Sequence, residues 1–476
     1  MITQESQTLY KRIDKYIEKL LTNKQDLRNN ILTIFGNLHI NGNTTKIQKI
    51  EEEFQQYAQE IANKGNDLTK DEKTILNVKS IDDKLIKVTP FKQQKVGDFF
   101  FNLLVLRSLR PNSGSNNNGN KNKQQQQQKK KKVEEKENEN ENENEKENEK
   151  EKENENENEN ENEKEKEQEK EQEKSNVKLN LELDPEVKLK LNFLDKEEDN
   201  EKEVMPIKKP IIKSEFNFHK NETIDEEFDL AEEFFGLDAR PNKYPIVNGH
   251  ILFVPNRIDL LPQFLTSKTL GFTKLIFNRI PSIMLSYNSI GAFSSVNHFH
   301  LHGIPNDTQL PILSQTIKEK ALTNCEFRYK TAQDWPQRNI IFEDPDHGNE
   351  KINKNESIES NETKKSFDQY DQLINFIHTY IHDKDGNFIN KPIYYNILFT
   401  KTRIYLFPRK NQRSFQRNKN KFGTGLAWLE ACGIFISANV DEFNQIDVNT
   451  CEQIQLLMRN ESIKIEDILT WKNEKN

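Results

Sequence analysis

Residues 287–303 read YNSIGAFSSVNHFHLHG, and this stretch decides how the rest of the chain is interpreted. Three of the nine histidines fall on every second position, at His298, His300 and His302. Successive side chains of a β-strand point to opposite faces of the sheet. The spacing therefore predicts a strand, over 299–304, that carries three imidazoles on one face and packs Phe299 and Leu301 behind them.

Three imidazoles on one strand face leave three explanations open. They can bind zinc with a carboxylate or water as fourth ligand, they can form a nucleophile with flanking proton donors, or they can be an accident of a polar strand. The residues just upstream favour the second explanation. Asn288, Gly291, Ser294 and Ser295 suit a tight loop whose hydroxyl, amide and backbone N–H groups approach a phosphate. A phosphate loop next to this strand indicates chemistry on phosphorus.

The sequence around the motif predicts an antiparallel α+β architecture, because strand pairs occur without regular β-α-β alternation. Strands are predicted at 214–218, 251–254, 283–287, 339–342, 394–399 and 403–407, and the last two are spaced like a hairpin. Helices are predicted at 225–235, 366–381 and 450–459.

Composition divides the 476-residue chain into parts. Only 33% of its residues are hydrophobic and 31% are charged, but the deficit is local, since Val133 is the one apolar residue in 113–176. Such a tract cannot bury enough apolar surface to offset its ordering entropy. We expect a helical N-terminal extension at 1–80, the start of a catalytic domain at 81–112, a disordered insertion at 113–176, and the rest of the catalytic domain at 177–476, with a polar loop near 344–365.

The same composition excludes several classes of protein. Three widely separated cysteines exclude a disulfide framework and a cysteine-based zinc site. A net charge of −8 argues against nucleic-acid binding, and the chain shows neither an apolar membrane span nor a signal peptide. These features predict a cytoplasmic protein. The helical periodicity of 1–80 leaves open a packing extension or a partner-binding hairpin.

The motif from Asn288 through His302 resembles the histidine-triad superfamily of nucleotidyl hydrolases and transferases. It is most similar to the GDP-hexose phosphorylases of that superfamily. Supporting segments lie at 215–218, 249–263, 335–343, 395–398, 405–408 and 423–438, and the resemblance spans roughly 85–110 and 205–470. It implies a histidine-triad-like antiparallel sheet with flanking helices, for which two pseudo-repeated halves are one arrangement.

The resemblance also implies a reaction. His300 would be the nucleophile that attacks a GDP-hexose, with GDP-D-glucose the foremost substrate, and inorganic phosphate would accept the guanylyl group. His298 and His302 would donate hydrogen bonds to the phosphates. Neither a cofactor nor a metal is implied, and a homodimer stays open. Glutamine is common in this family where the chain has His302, which leaves water as the alternative acceptor and a nucleotidyl hydrolase as the alternative enzyme. A non-catalytic nucleotide-binding protein is the third reading.

Other candidate site residues have smaller roles. Asn288, Ser294 and Ser295 are expected to bind the substrate phosphates. In a regular strand Asn297 points to the opposite face, where it is expected to hold the loop. His250 and His219 are left open between ligand contact and a structural role.

Overall fold

The computed structural model describes residues 4–22, 30–41, 46, 56–64, 68, 72, 75, 91–104, 204–212, 218, 229–230, 237–255, 260–321, 328–343, 368–412, 425–437 and 440–470. The predicted tract at 113–176, the polar loop at 344–365, residues 214–217 of the first predicted strand and His219 lie outside these residues. The described elements belong to one unit, Met1–Pro111 with Val204–Asn476. Within them no helix is long and apolar enough to cross a membrane.

The strands are short and mostly buried. They are β1 (Lys92–Val96), β2 (Phe99–Leu103), β3 (Asp229–Leu230), β4 (Leu237–Pro241), β5 (Ile251–Pro255), β6 (Ile283–Asn288), β7 (Leu301–Pro305), β8 (Ile317–Ala321), β9 (Arg328–Ala332), β10 (Ile340–Glu343), β11 (Tyr394–Phe399), β12 (Arg403–Arg409) and β13 (Ile434–Ser437). The helices include α1 (Gln4–Thr22), α2 (Ile31–Ile40), α3 (Ser267–Arg279), α4 (Gln369–Tyr380), α5 (Trp428–Ala431), α6 (Val440–Asn444), α7 (Val448–Glu461) and α8 (Ile465–Thr470).

Ten strands form one antiparallel sheet in the order β3-β4-β5-β7-β6-β11-β12-β10-β9-β8. The order contains a repeat: β4, β5, α3, β6 and β7 follow one another in the chain just as β9, β10, α4, β11 and β12 do. Each set of strands takes the same positions in the sheet, and the halves meet at β6 and β11. The predicted α+β class is confirmed, with two halves of one topology.

The two faces of the sheet bury different cores. On the helix side, Leu285, Tyr287 and Leu301 join one cluster with residues of α3 and α4. On the other face, Met284 and Ile304 join a second cluster with α5 and the separate sheet β1-β2-β13. We call this second face the histidine face. His302 is two positions before Ile304 on β7, opposite Ser286, and therefore lies on the same face as Ile304. Neighbouring positions of a strand alternate between the two cores, as the pleat requires.

The N-terminal helices pack against the first half of the sheet. Ile13, Ile17 and Leu20 of α1 are buried in the helix-side core. The hydroxyl of Tyr10 donates to Asp307 at 3.2 Å. Asn37 of α2 donates from Nδ2 to the carbonyl oxygen of Asn242 at 3.0 Å. These contacts favour the packing role for this segment, although its boundaries as a domain stay a prediction.

Several predicted elements differ from the structure in extent or kind. The hairpin is confirmed, with β12 extended to Arg409. The helices predicted at 366–381 and 450–459 correspond to α4 and α7. The helix predicted at 225–235 is wrong where it can be compared, because Asp229–Leu230 pairs with β4 as a strand. Helix α3 was not predicted; it begins with a capping box in which Thr266 accepts from the Thr269 backbone N–H.

Candidate active site

The predicted histidine strand is shorter than its sequence pattern indicates. Strand β7 begins at Leu301, so His298 and His300 precede it and His302 alone of the three lies within it. The cause is Gln263, whose amide inserts where the β6–β7 ladder would continue. Its Nε2 donates to the carbonyl oxygen of Asn288 at 2.9 Å and to that of His300 at 3.3 Å, and its Oε1 accepts from the His300 N–H at 2.8 Å. The side chain replaces the backbone pairing that a longer strand would have made.

The alternation of side chains survives this change. Phe299 and Leu301 are fully buried in the helix-side core, as predicted. The imidazole rings of His300 and His302 meet edge to face, with centroids 5.2 Å apart. Phe218 contacts the rings of both His298 and His300, at 5.6 and 5.2 Å. The structure therefore brings the three histidines together.

The proton position on His300 follows from its backbone contact. Its Nδ1 lies 2.8 Å from the carbonyl oxygen of His298. A carbonyl oxygen only accepts hydrogen bonds, so Nδ1 of His300 carries the proton in the neutral ring. The lone pair of the neutral His300 ring is therefore on Nε2.

The two flanking histidines have the opposite tautomer. The backbone N–H of Phe218 donates to Nδ1 of His298 at 3.2 Å, so the proton of neutral His298 is on Nε2. The N–H of Ile246 donates to Nδ1 of His250 at 3.3 Å, and Nε2 of His250 lies 3.0 Å from Nδ1 of His302. Because Nδ1 of His250 accepts from Ile246, we assign the His250 proton to Nε2, from which it is donated to His302, although Nδ2 of Asn242 also lies 3.3 Å from that Nε2. The proton of neutral His302 is therefore also on Nε2, and both flanking rings are hydrogen-bond donors there.

Asn288 is held with its amide in one orientation. Its Oδ1 accepts from Nδ2 of Asn396 at 2.6 Å and from the backbone N–H of Trp428 at 3.1 Å. The oxygen is thus engaged across the junction of the two halves, and the Nδ2 group is the donor that Asn288 retains for a ligand. Its predicted role in phosphate binding can only use that nitrogen.

The serine positions lie on the loop that follows β6. Ser294 donates from its hydroxyl to the carbonyl oxygen of Val296 at 3.0 Å, so its proton is used within the loop, and Ser295 is exposed. Asn297 accepts from the Gln263 backbone N–H at 3.2 Å and donates to the carbonyl oxygen of Pro210 at 3.0 Å. Asn297 therefore ties the loop down, while phosphate binding by the two serines stays a prediction.

A buried arginine supports this loop from the second half of the sheet. Arg409 is fully buried, its guanidinium lies 4.9 Å from the Phe293 ring, and it donates to the Leu426 carbonyl oxygen. Burial lowers the pKa of Arg409 to about 10, although the carboxylates of Glu461 and Glu430 oppose that shift. The loop also needs Gly291, with φ of +83°, since a Cβ there would lie 2.3 Å from the Tyr394 ring.

Sequence reasoning missed three parts of the site. Gln263 and Arg409 stand far from the motif in the chain, and no local pattern marks their contacts. The sequence does not decide between the two roles of His250, and in the structure its Nε2 lies 3.0 Å from Nδ1 of His302. The sequence does contain one signal for His250. It immediately precedes the predicted strand 251–254, and side chains of antiparallel neighbouring strands contact each other, so pairing of that strand with the histidine strand would bring His250 to the motif.

Comparisons with known proteins agree with the motif. The family described as GDPGP1-like, N-terminal domain, matches residues 187–304. GDP-D-glucose phosphorylase 1 of Xenopus laevis is 39% identical over 79 residues, covering 16% of this chain and 20% of the relative. GDP-L-galactose phosphorylase 2 of Arabidopsis thaliana is 31% identical over 104 residues, covering 21% and 24%. The match to these relatives thus spans about a fifth to a quarter of their length. The resemblance of the histidine motif to the GDP-hexose phosphorylases is confirmed.

A solved structure is also similar. The yeast Ap4A phosphorylase Apa2 matches with a TM-score of 0.37 and 16% identity, covering 51% of this chain and 78% of that protein.

Proposed function

We propose that the protein is a nucleotidyltransferase that cleaves a GDP-hexose, most readily GDP-D-glucose, with inorganic phosphate to give GDP and hexose 1-phosphate. The observation that carries this proposal is the set of contacts made by the three rings, which assign them alternating tautomers. His300 has its lone pair on Nε2, whereas His298 and His302, on either side of it, have protons there. One nucleophile between two hydrogen-bond donors suits attack on a phosphorus that bears anionic oxygens.

In the first step, Nε2 of His300 attacks the α-phosphorus of the GDP-hexose. The bond from nitrogen to phosphorus forms while the bond from that phosphorus to the bridging oxygen breaks, and hexose 1-phosphate leaves with the electron pair. A phosphate monoester is a competent leaving group, so little general-acid assistance is required. The product on the protein is guanylyl-His300.

In the second step, inorganic phosphate attacks the same phosphorus and releases His300, which yields GDP. The Nε2–H groups of His298 and His302 would hold the non-bridging oxygens through both steps, and Asn288 would add a donor from Nδ2. Preorganised donors of this kind cost no reorganisation when charge develops. We propose no metal and no cofactor in this scheme, and we place the reaction in the cytoplasm.

The test is to incubate the purified chain with radiolabelled GDP-glucose, with and without phosphate. Without phosphate, the wild type should acquire an acid-labile, base-stable guanylyl adduct that maps to His300. With phosphate, it should release GDP. His300→Ala should abolish both, while His378→Gln, which changes a histidine of α4 outside the site, should keep both.

The alternative outcomes are informative. GMP as the main nucleotide at millimolar phosphate would assign the chain to the hydrolases. That outcome is tested because the chain has His302 where glutamine is common in the GDP-hexose phosphorylases. Full activity of His300→Ala, or an adduct on another residue, would refute the nucleophile.

A further inference from the structure

A charged pair lies on the histidine face, two strands away from His302. Arg240 of β4 is directly opposite Leu252 of β5, and Leu252 is directly opposite His302. Leu237 and Ala239 are buried in the helix-side core, so the alternate residues Asp238 and Arg240 belong to the other face. Two interstrand spacings place Arg240 about 10 Å from His302 across the sheet.

The pair is buried but incompletely satisfied. Arg240 forms an ion pair through Nη2 with Asp238, and the side chains are only 16% and 4% exposed. Within the described part of the chain, Nε of Arg240 is buried and has no hydrogen-bond partner. A buried donor without a partner costs about 1–3 kcal/mol, and native structures leave few of them. A ligand that accepts a hydrogen bond at this position would remove the cost.

The surroundings of His302 direct a bound nucleotide towards this pair. On the other side of His302, the same row continues through Ser286 to Leu398 and Tyr405, and these two lie in the apolar cluster under α5. Trp428 of α5 closes that side, with its ring 6.1 Å from the His302 ring. On the β5 side, Leu252 is only partly buried. A nucleotide with its α-phosphorus at His300 therefore extends across Leu252 towards β4.

We propose that Asp238 and Arg240 form the subsite that reads the base of the nucleotide and selects guanine. This inference rests on the proposed function for the placement of the α-phosphorus. The ring of His302, which lies next to that of His300, is two strand spacings from Arg240, a span that a ribose and a purine together can cover. Leu252 between them supplies an apolar floor for the ribose and the base.

The chemistry of the pair fits guanine. Guanine offers acceptors at O6 and N7, which an arginine contacts, and donors at N1 and N2, which a carboxylate accepts. Adenine has an acceptor at N1 and no amine at C2, so the carboxylate would face a lone pair. A phosphate group is a poor occupant because the carboxylate neutralises the guanidinium. An uncharged heterocycle with both donors and acceptors suits a neutral pair of this kind.

The test compares equilibrium binding of GDP, IDP and ADP to the full-length chain by calorimetry. The wild type should bind GDP about 10- to 100-fold more tightly than ADP, the range expected for a good bidentate base contact. IDP lacks only the N2 amine, so it should bind more weakly than GDP. Asp238→Asn should bring the GDP and IDP affinities together, and Arg240→Gln should weaken GDP and IDP alike.

Two control variants separate loss of base recognition from loss of stability. Breaking one side of a buried ion pair destabilises a protein, so the double variant Asp238→Asn/Arg240→Gln, which leaves no unpaired charge, is measured as well and should bind GDP and ADP with similar affinity. Lys330→Gln is the matched control. It breaks the Lys330–Glu343 ion pair in the other half of the sheet, and it should keep the wild-type ratio of GDP to ADP affinity.

The outcomes separate this inference from the reaction. An unchanged GDP-to-ADP ratio in the folded double variant would overturn the subsite, even if phosphorolysis of GDP-glucose is observed. A ratio that collapses in the double variant and persists in Lys330→Gln would support the subsite, even if the acceptor proves to be water.

Discussion

Replacing Gln263 should separate stability from catalysis in a measurable way. Gln263 is 1% exposed, and its amide makes three hydrogen bonds to the backbone of Asn288 and His300. Gln263→Met keeps a long unbranched side chain but removes all three. The His300 N–H and the Asn288 carbonyl then lose a buried partner, at about 1–3 kcal/mol each. We expect the free energy of unfolding to fall by about 2–6 kcal/mol.

The same change should lower turnover, because His300 precedes β7 and Gln263 holds its backbone. A displacement of about 1 Å at a reacting group can cost about 10²-fold in rate. We therefore expect kcat to fall about 10- to 100-fold in phosphate-dependent release of glucose 1-phosphate, with KM nearly unchanged. Urea denaturation followed at equilibrium supplies the stability, and initial rates over a range of GDP-glucose concentrations supply kcat and KM.

A matched variant makes the experiment decisive. Gln369 of α4 is also buried, and its Nε2 donates to the Lys401 carbonyl oxygen at 3.3 Å. Helix α4 packs on the face of the sheet opposite the histidine face. Gln369→Met should cost about 1 kcal/mol of stability and leave kcat unchanged. A wild-type kcat in Gln263→Met, or equal loss of kcat in both variants, would refute the claim that Gln263 positions His300.

Four further outcomes are expected. His250→Phe removes the donor that keeps the proton of His302 on Nε2 and should lower kcat about 10²-fold, the value of one oxyanion donor, whereas His250→Gln, which keeps an N–H, should lose less; equal losses would contradict this. Burial lowers the pKa of His382 to about 4, so the unfolded chain binds more protons between about pH 4 and 6.5 and stability is lost as the pH falls through that window. Between pH 7 and 5 the loss should be about 2 kcal/mol, and His382→Gln should remove it in denaturation curves. Deleting 113–176 should leave the melting temperature and turnover nearly unchanged, and a loss of folding would show that the tract is structural. EDTA should leave turnover intact, and stoichiometric zinc held by His298 and His302 would instead indicate a metal-activated water.

Much of the fold was readable from local sequence. Two short strand-like runs with a three-residue spacer predicted the hairpin of β11 and β12, and helical periodicity predicted α4 and α7. Helix α3 was missed because its apolar periodicity is weak and its capping box uses two threonines. The ends of β7 could not be read either, since Gln263 terminates its pairing from a position 38 residues before Leu301.

For the site, the sequence by itself determined which side chains share a face. The pleat alternates side chains whatever surrounds the strand, so Phe299 and Leu301 went to the core and the three histidines to the other side. It also determined that Asn288 and a glycine-containing loop precede them. These are local properties, and period-two geometry is sufficient to derive them.

Only the tertiary structure decided which of the three histidines carries its lone pair on Nε2. The three imidazoles are chemically identical. A neutral ring is protonated on the nitrogen that faces a hydrogen-bond acceptor and unprotonated on the nitrogen that faces a donor. The His298 carbonyl oxygen holds the proton of His300 on Nδ1, whereas Phe218 and His250 hold those of the flanking rings on Nε2. Phe218 and His250 come from 80 and 52 residues away. Tautomers are set by hydrogen-bond partners that folding brings together, so no pattern within the motif could have assigned them.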